Sequence, residues 1–380
     1  MPPLGDTMTH AVITGTGLYT PEHAIDNDAL VATFNTWVDR ENERHAKAIE
    51  AGERQPLAYS STEFIVKASG IHSRYVLDAE GILDPERMRP RLPARSNDQP
   101  SIQCEMGLSA AQEALQRAGV SAQDIDLVIV ACSNLERPYP AVAVELQNAL
   151  GTGGYAFDMN VACSSATFAI DTAANAIRSG NIQRALVVSP EICSAHLNFR
   201  DRDSHFIFGD ACTAVVIESA KVASAESRFE ILGTRLATRF SNAIRNNAGF
   251  LNRITDSDPL AEDKLFVQEG RRVFKEVCPL VAELINEHLD SLGLQGPKLS
   301  RLWLHQANRH MNDLIGRRVL GTEPTPEQAP IILDRYANTS SAGSIIAFHL
   351  HRDDLAVGSM GVVCSFGAGY SAGCVVVRRI

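Results

Sequence analysis

Hydrophobic residues recur along this chain with two spacings, one typical of buried strands and one typical of helices. Short runs of Val, Ile and Leu, such as 127–131, predict strands that are buried on both faces. Residues 158–162 predict another short strand, and the small and apolar residues that follow Cys163 spread around most of a helical wheel. We therefore expect a buried helix with Cys163 at its first turn, closed by Arg178 and Gly180, a cation and a glycine of the kinds that end helices.

Several of these segments occur twice, at a nearly constant offset. Helices alternate with short apolar strands in both copies, which predicts an α/β protein whose mixed sheet is covered by helices and built twice. We place the boundary near the small-residue stretch 220–227, so that residues 1–221 form an N-terminal half and residues 222–380 a C-terminal half. The matching segments are 115–119 with 289–293, 127–131 with 301–305, 162–165 with 337–340, 185–189 with 361–365, and 209–217 with 367–377.

Two polar segments interrupt the N-terminal half. Residues 35–60 are rich in charge and carry apolar residues at helical spacing, and residues 78–100 contain four prolines. We expect both to be peripheral insertions, the second of them an exposed loop. Ahead of them, 10–17 predicts a strand that enters a glycine turn, and 26–33 predicts the start of a helix.

Composition excludes several classes of function. A chain of 380 residues with 45% hydrophobic residues can bury a large core, and its net charge of −10 disfavours nucleic acid as a partner. It has no apolar run long enough to span a membrane and no signal-peptide pattern, so we expect a cytoplasmic protein with no membrane partner. The eight cysteines are scattered, without C-x-x-C pairs or zinc spacing, which predicts reduced thiols and no metal.

Three residues with chemical potential occupy related positions in the repeat. Cys163 lies in one half, and His305 and Asn338 lie in the other, at strand ends and helix starts that the duplication brings together. A thiol at a helix N-terminus faces unsatisfied N–H groups and the positive end of the helix dipole, which favour the thiolate. Each residue also has a simpler interpretation, as a buried hydrophobe, a hydrogen-bonded core histidine and a helix N-cap respectively. Their joint placement, with inert Ala131 at the position equivalent to His305, favours a shared catalytic site.

These positions lie in motifs that resemble those of a known family. The sequence is similar to the thiolase-like condensing enzymes, and above all to β-ketoacyl-acyl-carrier-protein synthase III, over nearly the whole chain except the two insertions. The resemblance implies the thiolase fold, five layers in the order αβαβα, in a homodimer. The matching motifs are V-A-C-S-S at 161–165, F-I-F-G-D at 206–210, H-Q-A-N at 305–308, N-T-S-S-A at 338–342 and F-G-A-G at 366–369.

The resemblance also implies an acyltransferase of fatty-acid biosynthesis that works by decarboxylative Claisen condensation. Cys163 would take an acyl group from an acyl-coenzyme A thioester, and malonyl-acyl-carrier protein would then enter and lose CO₂. His305 and Asn338 would hydrogen-bond the thioester carbonyl as the enolate forms, and the backbone N–H groups of Cys163 and Ala368 would bind the oxyanion. No metal or other cofactor is implied, since coenzyme A and acyl-carrier protein enter as substrate thioesters.

Further residues are implied to bind substrates. Phe64 and Lys67 lie in the segment that contacts the coenzyme A nucleotide in many relatives, although relatives carry tryptophan and arginine where this chain has Phe64 and Ala68. Tyr139 falls where relatives send an aromatic residue across the dimer interface to bound the partner's acyl tunnel. Asn308 closes the H-Q-A-N motif and is implied to line the substrate site.

The helix after His305 carries the residues implied to meet the acidic carrier protein, namely Arg309, Arg317 and Arg318, although an ordinary solvated helix face is the alternative. Glu136 falls on the interface loop from which some condensing relatives project a carboxylate base, although surface carboxylates usually do nothing specific. Ala368 replaces a glycine that is usual in the family, which requires a negative φ at that position.

The primer and the pathway stay open at this point. The two insertions are typical of a long-form subgroup, some members of which use medium-chain acyl-coenzyme A such as octanoyl. The same residues would suit a condensing enzyme of secondary metabolism of the quinolone, resorcinol or head-to-head hydrocarbon type. A thiolase would need a second cysteine as acid and base, for which Cys364 and Cys374 are not clearly placed. A non-catalytic partner subunit is the least favoured alternative, because such a subunit would be expected to lose one of the three residues.

Overall fold

The computed structural model of the chain describes residues 9–256, 258 and 261–380. Strands and helices alternate along most of this length. The strands are β1 (Ala11–Tyr19), β2 (His23–Asp26), β3 (Ser73–Val76), β4 (Leu127–Ala131), β5 (Tyr155–Met159), β6 (Arg184–Ile192), β7 (Asp210–Ser219), β8 (Phe229–Ser241), β9 (Ile244–Arg245), β10 (Val267–Gln268), β11 (Arg301–Leu304), β12 (Met360–Gly367) and β13 (Gly369–Arg379). The helices are α1 (Asn27–Arg44), α2 (Ala46–Glu50), α3 (Thr62–Ser69), α4 (Ala79–Ile82), α5 (Ile102–Ala118), α6 (Val142–Leu150), α7 (Ser165–Arg178), α8 (Gly270–Ser291), α9 (Arg309–Leu320), α10 (Leu333–Tyr336) and α11 (Ala342–Leu350).

A mixed sheet of nine strands, in the order β11-β12-β13-β8-β1-β7-β6-β4-β5, runs through the molecule. Its two sides meet at β1 and β8, which share only the antiparallel pairs Val12 with Glu230 and Ile13 with Phe229. Strands β4, β5 and β6 pair in parallel on one side, and β11 and β12 pair in parallel on the other. Each half of the chain therefore contributes its own run of strands to a sheet that is joined at the middle.

Helices cover these strands in layers. Helices α7 and α11 lie in the centre, because each contacts strands of both halves. Helices α5 and α6 pack outside the N-terminal strands, and α8, with α9 packed on it, lies outside the C-terminal strands. The order is thus α, β, α, β, α, which confirms the predicted five-layered α/β architecture with its two duplicated halves.

The central layer explains the unusual composition of α7. Alanines such as Ala166, Ala169 and Ala173 are fully buried in one core cluster with the inner faces of the strands and with α11. Small side chains allow strands to approach this helix closely from both sides, and the buried apolar surface stabilises the central layer. The helix ends at Arg178, and Gly180 follows with φ +78°, as the sequence predicted.

The duplication extends to backbone conformation. Strands β4, β6 and β7 correspond to β11, β12 and β13, and α7 corresponds to α11. Ala162 and Ala337, which the sequence repeat aligns, both have positive φ, +48° and +53°. Non-glycine residues seldom adopt this region, so the shared conformation marks the same tight turn in both halves. The exact division into residues 1–221 and 222–380 stays a prediction, although 220–227 does lie between β7 and β8.

One insertion differs from its prediction. Helix α1 begins after the N-cap Asp26, whose carboxylate accepts from Ala29 N at 2.8 Å, and continues into 35–60 as far as Arg44. Val38, inside the insertion, is buried in one stripe with Leu30 and Phe34, which precede it, so the first part of the insertion contributes to a core and is not wholly peripheral. In 78–100 only α4 is regular, as expected of a loop. None of the helices in the described ranges has both the length and the apolar character that a membrane span requires.

Candidate active site

The predicted catalytic residues meet in one cavity at the end of the central layer. The cavity has a volume of about 430 Å³, and Cys163, His305 and Asn338 all line it. The sequence repeat predicts that these three side chains lie close together, and in the structure they line the same cavity. The rest of the wall is largely apolar and aromatic, with Phe206, Phe208, Phe266, Val273, Phe274 and Val277 among its residues.

Cys163 lies on a tight turn between β5 and α7, two residues before the first helical residue and not within its first turn. The hydroxyl of Ser165 accepts from Val161 N at 2.8 Å and donates to Ala162 O at 2.7 Å, which fixes the turn. On the opposite side, a Cβ on Gly367 would lie 2.6 Å from the Cβ of Cys163 and 2.8 Å from its sulfur. The first glycine of the F-G-A-G motif is therefore required for the two segments to approach so closely.

The environment of the Cys163 thiol corrects one expectation. Burial raises the pKa of Cys163 to about 11, and the buried carboxyl of Glu191 adds to the rise. The side chain of Ser340 and the backbone N–H groups of Ala368 and Cys163 lower the pKa, but by less. The backbone donors therefore act in the expected direction, but burial outweighs them, so the net effect of the site disfavours the thiolate.

His305 follows directly after β11 and is buried. Its backbone N–H donates to Cys364 O at 2.8 Å, and its ring packs edge-on against Phe366 with 5.1 Å between ring centres. Burial lowers the pKa of His305 to about 4, while the backbone of Ser340 opposes the shift. The imidazole is therefore neutral at pH 7, which is the form that can donate one hydrogen bond without carrying charge.

Asn338 is held by backbone pairing with the segment of the F-I-F-G-D motif. Its N–H donates to Ile207 O at 2.9 Å, and its carbonyl accepts from Gly209 N at 3.1 Å. The side-chain Oδ1 accepts from Ser340 N at 2.9 Å, which orients the amide. No described residue hydrogen-bonds Nδ2, so this donor remains for a molecule in the cavity.

Ala368 supplies the second predicted oxyanion donor. Its φ lies outside the left-handed region, so the alanine in place of glycine is tolerated, as the sequence required. The hydroxyl of Ser371 lies 3.0 Å from Ala368 O, 3.2 Å from Val161 O and 3.0 Å from Ser164 Oγ. This hydroxyl therefore joins the two backbone segments whose N–H groups face the sulfur of Cys163.

The residues predicted to contact coenzyme A lie beside the cavity rather than on its wall. Phe64 is half-buried and packs edge-on against Phe206, with 5.8 Å between ring centres. The guanidinium of Arg202 lies 4.0 Å above the ring of Phe64. Lys67 is exposed, and its backbone carbonyl lies 3.1 Å from Nε2 of His310. Arg202, which lies between Asp201 and Asp203 shortly before the F-I-F-G-D motif, was not predicted from the sequence.

Asn308 does line the cavity, but both ends of its amide are occupied. Oδ1 caps α9 by accepting from His310 N at 2.9 Å, and Nδ2 donates to Ala68 O at 2.7 Å. The side chain thus joins the start of α9 to the end of α3 and shapes the cavity wall. Whether it also contacts substrate stays a prediction.

Two residues of the loop after β4 lie away from the cavity of their own chain. Tyr139 is 82% exposed. The carboxylate of Glu136 accepts from Gln103 N at 3.2 Å, at the first turn of α5. Neither side chain contacts Cys163, so any role for them in this reaction requires a second copy of the chain.

The three arginines predicted to meet the carrier protein are all exposed on α9. Arg309 forms a weak contact with Asp313 at 3.9 Å, and Arg317 pairs with Glu323 at 2.6 Å. Arg318 has no ion pair within the described chain. The patch is therefore less basic than the sequence indicates. Arg271, at the start of α8, also lines the cavity and was not identified from the sequence.

Within the described residues, no group of three or more His, Cys, Asp or Glu side chains is arranged to hold a metal ion, and all eight cysteines are free thiols. A cysteine between two backbone donors, lining one cavity with a neutral histidine and an asparagine on a duplicated five-layered fold, is the arrangement expected of a condensing enzyme of the thiolase type. Comparison with known proteins gives the family. Residues 157–239 match the model of 3-oxoacyl-[acyl-carrier-protein] synthase III, and residues 289–379 match the model of its C-terminal part.

Individual relatives agree with this match. The chain is 62% identical over 347 residues to the β-ketodecanoyl-[acyl-carrier-protein] synthase of Pseudomonas aeruginosa, which covers 91% of this chain and 99% of that protein. It is 30% identical to the β-ketoacyl-[acyl-carrier-protein] synthase III of Agrobacterium fabrum, over 86% of this chain and 93% of that one. The crystal structure of the Aquifex aeolicus synthase III superimposes with a TM-score of 0.75 at 25% identity, covering 97% of this chain and 99% of that one.

The chain belongs to the β-ketoacyl-[acyl-carrier-protein] synthase III family. It is an acyltransferase of fatty-acid synthesis that condenses an acyl primer with malonyl-acyl-carrier protein.

Proposed function

We propose that this enzyme condenses an eight-carbon acyl thioester with malonyl-acyl-carrier protein and so forms β-ketodecanoyl-acyl-carrier protein. The observation that carries the mechanism is the single cavity lined by Cys163, His305 and Asn338. The product named for the Pseudomonas aeruginosa relative supports the chain length, because a β-ketodecanoyl group contains eight carbons from the primer and two from malonate. The aromatic and aliphatic wall of the cavity suits an apolar acyl chain.

In the first stage, the sulfur of Cys163 attacks the carbonyl carbon of the primer thioester. A carbon–sulfur bond forms to Cys163 and the bond to the coenzyme A sulfur breaks, so that the thiol proton ends on coenzyme A. The negative charge that develops on the carbonyl oxygen is bound by the backbone N–H groups of Cys163 and Ala368, which face the sulfur of Cys163. Because the pKa of Cys163 is high, only a small fraction of the sulfur is thiolate at pH 7, and these donors stabilise the oxyanion that forms when that thiolate attacks.

In the second stage, malonyl-acyl-carrier protein replaces coenzyme A. His305 and Nδ2 of Asn338 hydrogen-bond the thioester carbonyl of the malonyl group. Loss of CO₂ leaves two electrons on the α-carbon, which attacks the acyl group and releases Cys163. The low pKa of His305 supports this assignment, because neutral donors stabilise the enolate more than they stabilise the uncharged thioester from which it forms. Every step is assigned to side chains and backbone donors of this chain, and no cofactor is invoked.

Coenzyme A is the proposed carrier of the primer. The stacked pair of Phe64 and Arg202 offers planar groups beside the cavity entrance, where Asp203 and Ala68 line the wall. An adenine ring would stack on Phe64 once the guanidinium of Arg202, which lies 4.0 Å above that ring, moves away. Lys67 is exposed one residue before Ala68 and supplies a charge for the phosphates.

A homodimer is proposed from two surfaces. Strand β5 lies at an open edge of the nine-stranded sheet, where a second copy can pair. A second cavity of about 410 Å³, lined by Val161, Ala162 and Ala368 among others, opens beside the turn of Cys163. We propose that a second copy covers this cavity and that Tyr139 from that copy bounds the acyl chain.

Three alternatives have less support. Cys364 and Cys374 are buried and lie opposite each other on β12 and β13, and neither lines the cavity, so neither provides the second cysteine of a thiolase. For a condensing enzyme of secondary metabolism there is no specific support: OleA of Xanthomonas campestris, solved with bound lauric acid and lauroyl-CoA, superimposes with a TM-score of 0.74, but at 18% identity this likeness shows the fold alone. The presence of all three catalytic residues in one cavity argues against a non-catalytic subunit.

Intact-mass spectrometry tests the proposal. The enzyme is incubated with acyl-coenzyme A thioesters of two to twelve carbons, beside Cys163→Ser, and malonyl-acyl-carrier protein is then added. We expect the octanoyl adduct to dominate, to be absent from Cys163→Ser, and to be discharged into a ten-carbon β-ketoacyl product. Loading of acetyl groups alone would refute the chain length. The absence of any adduct would refute coenzyme A as the carrier, and discharge without malonate would indicate a thiolase or a hydrolase.

A further inference from the structure

Ser340 combines two features that each destabilise the folded protein. Its hydroxyl oxygen is buried and makes no well-formed hydrogen bond in the described chain, apart from a weak contact with the Cys163 sulfur, and its φ is +48°. A buried polar group without a partner destabilises the folded state, and a non-glycine residue in the left-handed region adds backbone strain. A buried polar group without a strong partner is explained if a strong hydrogen-bond acceptor appears beside it during the reaction.

The partner that the geometry provides is the sulfur of Cys163. The Ser340 side chain lies close enough to lower the pKa of Cys163, and among the side chains around the sulfur it is the one that opposes burial. The titratable groups that face this sulfur do not help, because Glu191 raises the pKa of Cys163 and His305 is neutral. A thiol is a weak acceptor and a thiolate a strong one, so the hydroxyl is fully satisfied only when the sulfur is ionised.

We propose that Ser340 is a further catalytic residue, whose hydroxyl donates a hydrogen bond to the Cys163 sulfur as it becomes a thiolate. This rests on the proposed role of Cys163 as nucleophile. The bond strengthens as Cys163 gives up its proton to the departing coenzyme A, and again when the condensation step releases Cys163 as a thiolate. No proton leaves Ser340 in either step, so the balance of each reaction is unchanged.

The strained turn is held from both sides. Ser340 N donates to Oδ1 of Asn338, and the next residue, Ser341, donates from its backbone N–H at 3.1 Å and from its hydroxyl to the carboxylate of Glu191. Glu191 also accepts from Ser133 N at 3.0 Å and Ser133 Oγ at 2.6 Å.

Glu191 is buried on β6, in the N-terminal half, and therefore anchors the Asn338–Ser341 turn of the other half. It is a positioning residue for Ser340. The carboxyl of Glu191 holds the turn in place but raises the pKa of Cys163. The hydroxyl of Ser340 lowers that pKa and so partly offsets the effect of Glu191.

The test is the pH dependence of Cys163 alkylation by iodoacetamide, followed by intact mass from pH 7 to 10 in Ser340→Ala and Ser340→Gly. Alanine already has a positive φ at Ala162 and Ala337, so the chain accommodates alanine with such a φ and Ser340→Ala keeps the turn, while Ser340→Gly relieves the strain. Ser344→Ala is the matched control, since its buried hydroxyl pairs with Ser365 at 2.7 Å instead. Cys163→Ser gives the background of the other cysteines.

We expect the alkylation rate at pH 8 to fall roughly three- to ten-fold in both Ser340 variants, because fewer sulfurs are ionised while each thiolate is somewhat more nucleophilic. Decarboxylation of malonyl-acyl-carrier protein without primer, which uses His305 and Asn338 but not the thiolate, should stay within about two-fold of wild type. An unchanged alkylation profile in Ser340→Ala would overturn the proposal. So would a parallel loss of decarboxylation in both variants, which would indicate a structural role for the turn. Failure of wild-type Cys163 to load any acyl group would instead refute the proposed function.

Discussion

Gly367 lies against Cys163 so closely that a side-chain methyl on the glycine would overlap the sulfur, with 2.8 Å between them. The contact places the end of β12 beside the nucleophile and brings the backbone N–H of Ala368 to the same sulfur. One glycine therefore sets the distance between the cysteine turn of the N-terminal half and the oxyanion donor of the C-terminal half.

Gly367→Ala tests this contact. The added Cβ must displace Cys163, so we expect acyl loading to fall by at least about 100-fold, as for loss of an oxyanion donor, and the free energy of unfolding to fall by about 1–3 kcal/mol. Intact-mass loading and chemical denaturation measure the two effects. Gly249→Ala is the control, because nothing lies within 4 Å of its added Cβ. Normal loading by Gly367→Ala would contradict the assigned geometry.

Asn338→Asp separates the two stages of the reaction. The substitution keeps an oxygen that can accept from Ser340 N but replaces the free Nδ2 donor with a second acceptor. We expect primer loading onto Cys163 to persist, while decarboxylation of malonyl-acyl-carrier protein falls about 10²- to 10³-fold. Loading is read by intact mass and decarboxylation by CO₂ release. Equal losses in both stages would show that Asn338 acts on the whole site and not on the malonyl carbonyl.

The two stages should also differ in pH dependence. Cys163, with a pKa raised to about 11, gains roughly ten-fold in thiolate per pH unit between pH 6 and 9, so primer loading should rise steadily with pH. His305, with a pKa lowered to about 4, stays neutral over this range, so decarboxylation should be flat and should fall only as His305 is protonated below about pH 5. Single-turnover rates of primer loading and of decarboxylation, measured across this pH range, test the two expected profiles. A flat loading profile would contradict the high pKa of Cys163.

The sequence predicted the features that depend on local pattern and on the repeat. Cys163, His305 and Asn338 come at equivalent ends of strands in two similar halves, and residues placed in this way must meet if both halves fold alike. Gly180 and Asp26 likewise mark the ends of helices through local preferences that need no tertiary information.

The features that the sequence did not reveal depend on burial and on contacts between distant segments. The pKa of Cys163 is set by desolvation, which outweighs the donors that the helix start suggested. Glu191 is one acidic residue in an apolar strand, and its role becomes visible only when Ser133 and Ser341 are found on either side of it. The stacking of Arg202 on Phe64 joins segments far apart in the chain and has no local signal.

Phe64→Ala tests the proposed coenzyme A contact. Loss of one stacking surface should raise KM for octanoyl-coenzyme A by about two- to ten-fold, equivalent to about 0.5–1.5 kcal/mol, and leave KM for octanoyl-pantetheine unchanged, because that thioester lacks the nucleotide. Phe250→Ala is the control, an exposed phenylalanine outside the cavity lining. An equal effect on both thioesters would mean that Phe64 supports the packing around Phe206 and does not contact the nucleotide.

Charge reversal on α9 tests the carrier-protein surface. Arg318 has no ion pair in the described chain, whereas Arg317 is paired with Glu323, so more of the Arg318 charge is available to an acidic partner. We expect Arg318→Glu to raise KM for malonyl-acyl-carrier protein by about ten-fold at low salt, and Arg317→Glu to have a smaller effect, with KM for octanoyl-coenzyme A unchanged in both. The difference from wild type should shrink as ionic strength rises, because salt screens exposed charges. If KM for the carrier protein is the same in Arg318→Glu and wild type at low salt, the carrier protein docks elsewhere, and Arg271 at the cavity wall becomes the next residue to reverse.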